Sequence, residues 1–144
     1  MTTGAFYKHF KDKEALFSEL VEPLASMIRK AYAQGEERGF AGYDEGKPVT
    51  PEQVRAALEA KAEGTLATTT MLYSHRDIYE LLVFRSYGTP YEHFLDWLVD
   101  EEDRTTLRAL ELIHGAEKAQ TVISKESLHI VNHAFYSCLL YTSD

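Results

Sequence analysis

Apolar residues recur every three or four positions along most of the chain, and that spacing restricts the fold more than any other feature of the sequence. From Lys13 onward Leu16, Leu20, Leu24, Met27 or Ile28, and Ala31 step at helical intervals, with Phe17 and Val21 widening the stripe. A strand would need alternation with a period of two, and no segment carries it convincingly. Asp12 offers a carboxylate to the first free amides and predicts a helix start at Lys13. Pro23 lacks an amide donor and predicts a bend inside that helix. Gly35, Gly39, Gly42, Gly46 and Pro48 then interrupt the pattern, so residues 35 to 49 read as a flexible connection.

Thr50-Pro51-Glu52-Gln53 combines a hydroxyl cap, proline at the first helical position and a glutamine that closes a capping box, which predicts a helix to about Thr70. The same device recurs at Thr89-Pro90-Tyr91-Glu92, directly after Gly88. A helix from about Asp77 should therefore stop there and a new one begin at a tight corner. Phe94, Leu95, Leu98 and Val99 form one face of the new helix, the acidic run Asp100 to Asp103 reads as solvated surface, and Leu107, Leu110 and Ile113 continue to Gly115. Ser124 caps a last helix with Leu128, Val131, Phe135 and Leu139 on one side. The fold class expected from these signals is all-α.

A length of 144 residues and 44% hydrophobic content suit one packed domain. The net charge of -8 argues against non-specific coating of nucleic acid or anionic membrane. Lys8, Lys11 and Lys13 against Asp12 give residues 1 to 13 a local charge of +2, leaving -10 for the rest, so any polyanion contact belongs to the N-terminal end. Cys138, the single cysteine, cannot form an internal disulfide and suits a reducing compartment. No apolar run approaches the roughly 20 residues a membrane helix needs, and no leader opens the chain. A cytoplasmic protein without membrane partners is the expectation.

The most specific pattern lies in "TTGAFYKHFKDKEALF", Thr2 to Phe17. In a helix over Thr2 to His9, Phe6 and Phe10 stand four apart and can face a core, leaving Thr2, Thr3, Ala5 and Lys8 for a groove. Small residues at Thr3, Gly4 and Ala5 allow close backbone approach. Tyr7 and Lys13 can contact phosphates, and His9 either packs or joins them. Gly4, Phe6, Tyr7, His9 and Phe10, followed by a turn and Lys13-Glu14-Ala15-Leu16, resemble the end of the DNA-binding domain in TetR/AcrR-type bacterial transcriptional regulators.

The resemblance implies a TetR-like helical bundle. Residues 1 to 12 would end a helix-turn-helix domain, residues 13 to 34 would form a connecting helix, and residues 35 to 144 an effector-binding and dimerisation domain. It also implies operator DNA, a small-molecule effector and a second copy of the chain as partners, and no cofactor. In that family two further helices precede the recognition helix and a pair of helices closes the domain. This chain is expected to lack both features, to bind DNA poorly alone, and to carry no function in residues 139 to 144.

Tyr73, Tyr79, Phe84, Arg85, Tyr87, Tyr91, Phe94 and Trp97 offer the apolar and polar mixture of an effector pocket, Arg85 suiting an anionic ligand. The same aromatics can equally be core or dimer contacts. His129 and His133 stand four apart on one helix and could chelate a metal with His114 or His93. Ile130 follows His129 where a His-Glu-x-x-His site has glutamate, so these histidines, with Asn132, are expected instead as polar contacts at a helix interface or in the pocket. No phosphate loop or nucleophile elbow points to an enzyme. Two readings remain: a ligand-responsive DNA-binding regulator, and a helical small-molecule-binding or dimerisation module without a nucleic-acid role.

Overall fold

The computed structural model describes residues 11–43 and 47–139, and among them six helices and no strand. In chain order these are α1 (Lys13–Phe40), α2 (Pro51–Ser74), α3 (Arg76–Phe84), α4 (Phe94–His114), α5 (Ala116–Val122) and α6 (Lys125–Cys138). No helix among the described residues is long and apolar enough to cross a membrane. The all-α expectation holds.

Local chemistry sets most of the boundaries. Asp12 accepts from the Ala15 amide at 2.8 Å and caps α1 as expected. At Thr50 both halves of the capping box form: the Gln53 amide donates to the Thr50 hydroxyl at 3.2 Å, and the Thr50 amide to Gln53 Oε1 at 2.9 Å. Ser124 caps α6 through the Ser127 amide. Gly115, at φ 82°, ends α4 in a backbone conformation that L side chains resist.

Three expectations are corrected. α1 keeps Pro23 inside it, as expected, but runs on through Gly35 and Gly39 to Phe40, because isolated glycines weaken a helix by only about 1 kcal/mol each, less than the packing of a long helix supplies. The connection is therefore shorter than residues 35 to 49. Thr89 does not start a continuous helix at Pro90: residues 87–93 form turns and α4 begins at Phe94. There the Thr89 hydroxyl donates to the Ser86 carbonyl at 2.6 Å and also receives the Tyr91 amide, so it closes the corner itself. Finally, α5 fills a stretch for which no helix was expected.

The core is built from Val21, Leu24, Ala25 and Ile28 of α1, Leu72 of α2, Tyr79 and Leu82 of α3, Tyr91, then Phe94, Leu98 and Val99 of α4, and Tyr136 of α6. The buried stripe of α1 is thus rotated from the one expected. Leu20 and Met27 are exposed, whereas Val21 and Ala25 face inward. Apolar side chains flank both lines, and small Ala25 permits the closer approach of a neighbouring helix. On α6 the inward line is Leu128 and Tyr136 rather than Val131 and Phe135, which are exposed.

Candidate functional site

The long face of α1 is joined to α4, and to Tyr91 in the turn before it, by polar and aromatic side chains. Along α1 the partners are Glu22, Arg29, Tyr32 and Glu36, one face by helical spacing. Glu22 receives the Tyr91 hydroxyl at 2.7 Å and the Ser26 hydroxyl at 2.6 Å, and pairs with Arg29 at 3.3 Å. The guanidinium of Arg29 lies 5.4 Å from the Phe94 ring centre and 5.9 Å from that of Trp97. Further along, Arg104 grips Glu36 with two nitrogens at 2.7 and 2.8 Å, and Arg108 adds a contact at 3.0 Å. These pairs are separated by 69, 68 and 72 residues, and Tyr32 and Glu102 by 70. A nearly constant offset means that α1 and α4 run parallel, connected by long side chains along their length.

Electrostatics follow the contacts. The hydroxyls of Ser26 and Tyr91, then the Arg29 charge, hold the Glu22 carboxyl below its ordinary range. The Arg104 and Arg108 guanidiniums do the same for Glu36.

Glu102 is the centre of this arrangement. Its Oε2 lies 3.1 Å from the Tyr32 hydroxyl of α1 and 3.2 Å from the Tyr136 hydroxyl of α6. The two phenol oxygens also contact each other. Two hydroxyl protons cannot serve three contacts, so one tyrosine donates to the other and the second donates to the carboxylate. Lys61 of α2 pairs with Oε1. Tyr79 of the short α3 joins the group by donating to the Tyr136 carbonyl at 3.2 Å. Four helices thus meet at one carboxylate, whose side chain is 17% exposed, and a fifth is tied to it through Tyr136. Burial, then the neighbouring phenol and carboxylate, pushes Tyr32 far above its ordinary pKa. Burial raises Tyr136 as well, with Glu102 adding to it, and burial alone raises Tyr79.

The acidic run is therefore not simply a solvated surface. Glu102 stands three and four residues after Val99 and Leu98, which puts it on the inward face. Asp103 turns toward α6, where His129 Nδ1 approaches it at 2.8 Å and Asn132 donates to its other oxygen at 2.7 Å. His129 and Asn132 thus make the helix-interface contact expected of them.

The expected pocket residues are distributed differently. Tyr79, Tyr91 and Phe94 belong to the core, and Phe94 meets half-buried Trp97 with ring centres 5.4 Å apart. Arg85 caps the end of α3 on the surface next to exposed Phe84, Tyr73 near the end of α2 is exposed as well, and Tyr87 is 93% exposed. These side chains are divided between the core and the surface. His133 is half-buried next to Ser137, its ring centre 6.2 Å from that of His129. Of the expected DNA contacts, Lys13 is the exposed first residue of α1, while Thr2, Thr3, Gly4, Ala5, Tyr7, Lys8 and His9 lie outside the described residues. Tyr32, Lys61, Glu102, Asp103 and Tyr136 were not singled out from the sequence. Tyr32 continues the Val21, Ala25, Ile28 stripe at three- and four-residue steps, and that continuation was the available signal.

Comparisons of the chain with protein-family models, with curated proteins and with solved structures find no match in any of the three.

Proposed function

We propose that the chain belongs to a TetR-type, ligand-responsive transcriptional regulator, in which α1 links a DNA-reading N-terminal segment to a helical effector and dimerisation body. The observation that carries this reading is the ordered run Gly4, Phe6, Tyr7, His9, Phe10 leading through a short turn into the Asp12-capped start of a 28-residue helix. Such a helix spans about 42 Å, enough to report a change in the body at its far end. Lys13 at the exposed start of α1 suits a phosphate clamp, where the helix N-terminus adds favourable dipole and free amides. The α1 to α4 contacts and the Glu102 cluster supply the mechanical link, since displacement of α4 or α6 by an effector must drag or release Tyr32, Glu36 and Glu22. The cytoplasm is the compartment this reading requires.

A second reading, a helical dimerisation module without nucleic acid, is favoured by the exposed apolar residues Ile130, Val131 and Phe135 on α6. DNA binding separates the two. The complete reading frame that encodes this chain should be titrated by fluorescence anisotropy against duplexes from the DNA flanking its gene. Sequence-specific binding is expected, and Lys13→Ala should reduce the slope of log affinity against log salt by about one. Equal affinity for all duplexes would remove the regulator reading, and an unchanged slope would remove the clamp.

A further inference from the structure

The Asp103 and His129 contact has a third neighbour. One oxygen of Asp100, one of Asp103 and one ring nitrogen of His129 all lie within 4.8 Å of one another. Asp100 and Asp103 are three apart on α4 and so share a face, while His129 comes from α6. Donors bound to one zinc-class ion at about 2.0–2.2 Å stand roughly 3 to 4.4 Å apart. Asp103 and His129, hydrogen-bonded at 2.8 Å, must part slightly to reach that spacing, and exposed Asp100 is placed to turn toward them. Asn132 already orients Asp103 through the oxygen that is not turned toward His129. An open depression of about 390 Å³, lined by Asp103, Lys125, Glu126, His129 and Ile130, gives access to two of the three donors, and Asp100 is itself exposed.

We propose that Asp100, Asp103 and His129 bind a divalent transition-metal ion of the zinc class, joining α4 to α6 beside the Glu102 cluster. The imidazole selects against magnesium and calcium, which take oxygen donors, and two carboxylates balance the dipositive charge. The histidine pairing with His133, His114 or His93 weighed from the sequence is replaced by carboxylates of the facing helix. This site stands on its own geometry and does not depend on the regulator reading.

The test is calorimetric titration of the full metal-free chain with Zn²⁺, paired with the visible absorption of Co²⁺. Expected are one saturable equivalent, no competition from excess Mg²⁺, and a melting temperature raised by Zn²⁺. His129→Ala and Asp100→Asn should each weaken binding by at least about tenfold, whereas His93→Ala and His114→Ala leave it unchanged. Absence of saturable uptake, or equal weakening in the His93 and His114 variants, overturns the proposal. Asp100 is exposed, so Asp100→Asn keeps the test decisive even if His129→Ala fails to fold. Unchanged affinity in a folded Asp100→Asn removes that aspartate and with it the three-donor site.

Discussion

Replacing Glu102 by alanine removes the one acceptor shared by Tyr32, Tyr136 and Lys61. A hydrogen bond to a charged group contributes about 1.5–3 kcal/mol, and the two phenols compete for one carboxylate oxygen while remaining in contact with each other. Their combined loss is therefore nearer one strong bond and part of a second, about 3 kcal/mol. The Lys61 pair adds little, because that ammonium is half exposed and such pairs are worth about 0–1 kcal/mol. In a chain of 144 residues a 3 kcal/mol loss lowers the melting temperature by roughly 9 °C. Urea unfolding followed by circular dichroism should give about 3 kcal/mol for Glu102→Ala and under about 1 kcal/mol for Lys61→Ala. Combining Glu102→Ala with Tyr136→Phe should cost clearly less than the sum of the two, since both remove members of one hydrogen-bonded network. Equal losses for Glu102→Ala and Lys61→Ala, or full additivity with Tyr136→Phe, would show that the carboxylate does not hold the helices together.

The raised pKa values of Tyr32, Tyr79 and Tyr136 predict alkaline sensitivity. The stability they contribute is complete below their ordinary value near 10.0 and declines as pH rises through it toward the folded-state values, so their phenolate absorbance should grow only with loss of helical signal. At the acid end Glu22 and Glu36 have lowered values, so their contribution is present above about 4.5 and is lost as pH falls through the folded-state values. Glu36→Gln should flatten the acid limb of a stability profile, by less than about 1 kcal/mol because the group is solvent-screened. Leu98→Ala, at a position with no exposure, should cost about 2–5 kcal/mol. Leu66→Ala, at a side chain 70% exposed, should stay within about 0.5 kcal/mol in the same urea titration.

Helix starts at Asp12, Thr50 and Ser124 were legible because each depends on a side chain and an amide two or three residues away. Which side of a helix faces inward was less so. α1 carries apolar residues on adjoining lines, and only packing chooses Val21 and Ala25 over Leu20 and Met27. The Glu102 cluster was hidden for a related reason: a run of four acidic residues reads as surface unless its phase against Leu98 and Val99 is followed, and its partners Tyr32, Lys61 and Tyr136 lie 70, 41 and 34 residues away. The aromatic group from Tyr73 to Trp97 was identified by chemistry, but its division into buried Tyr79, Tyr91 and Phe94 and exposed Tyr87 follows from tertiary packing alone.

The regulator reading faces its most direct test in selection from a random pool of DNA duplexes by the complete reading frame that encodes this chain. Enrichment of one motif with two-fold symmetry is the predicted result, as a dimer carrying two recognition helices requires. A pool that emerges without any enriched sequence would contradict it.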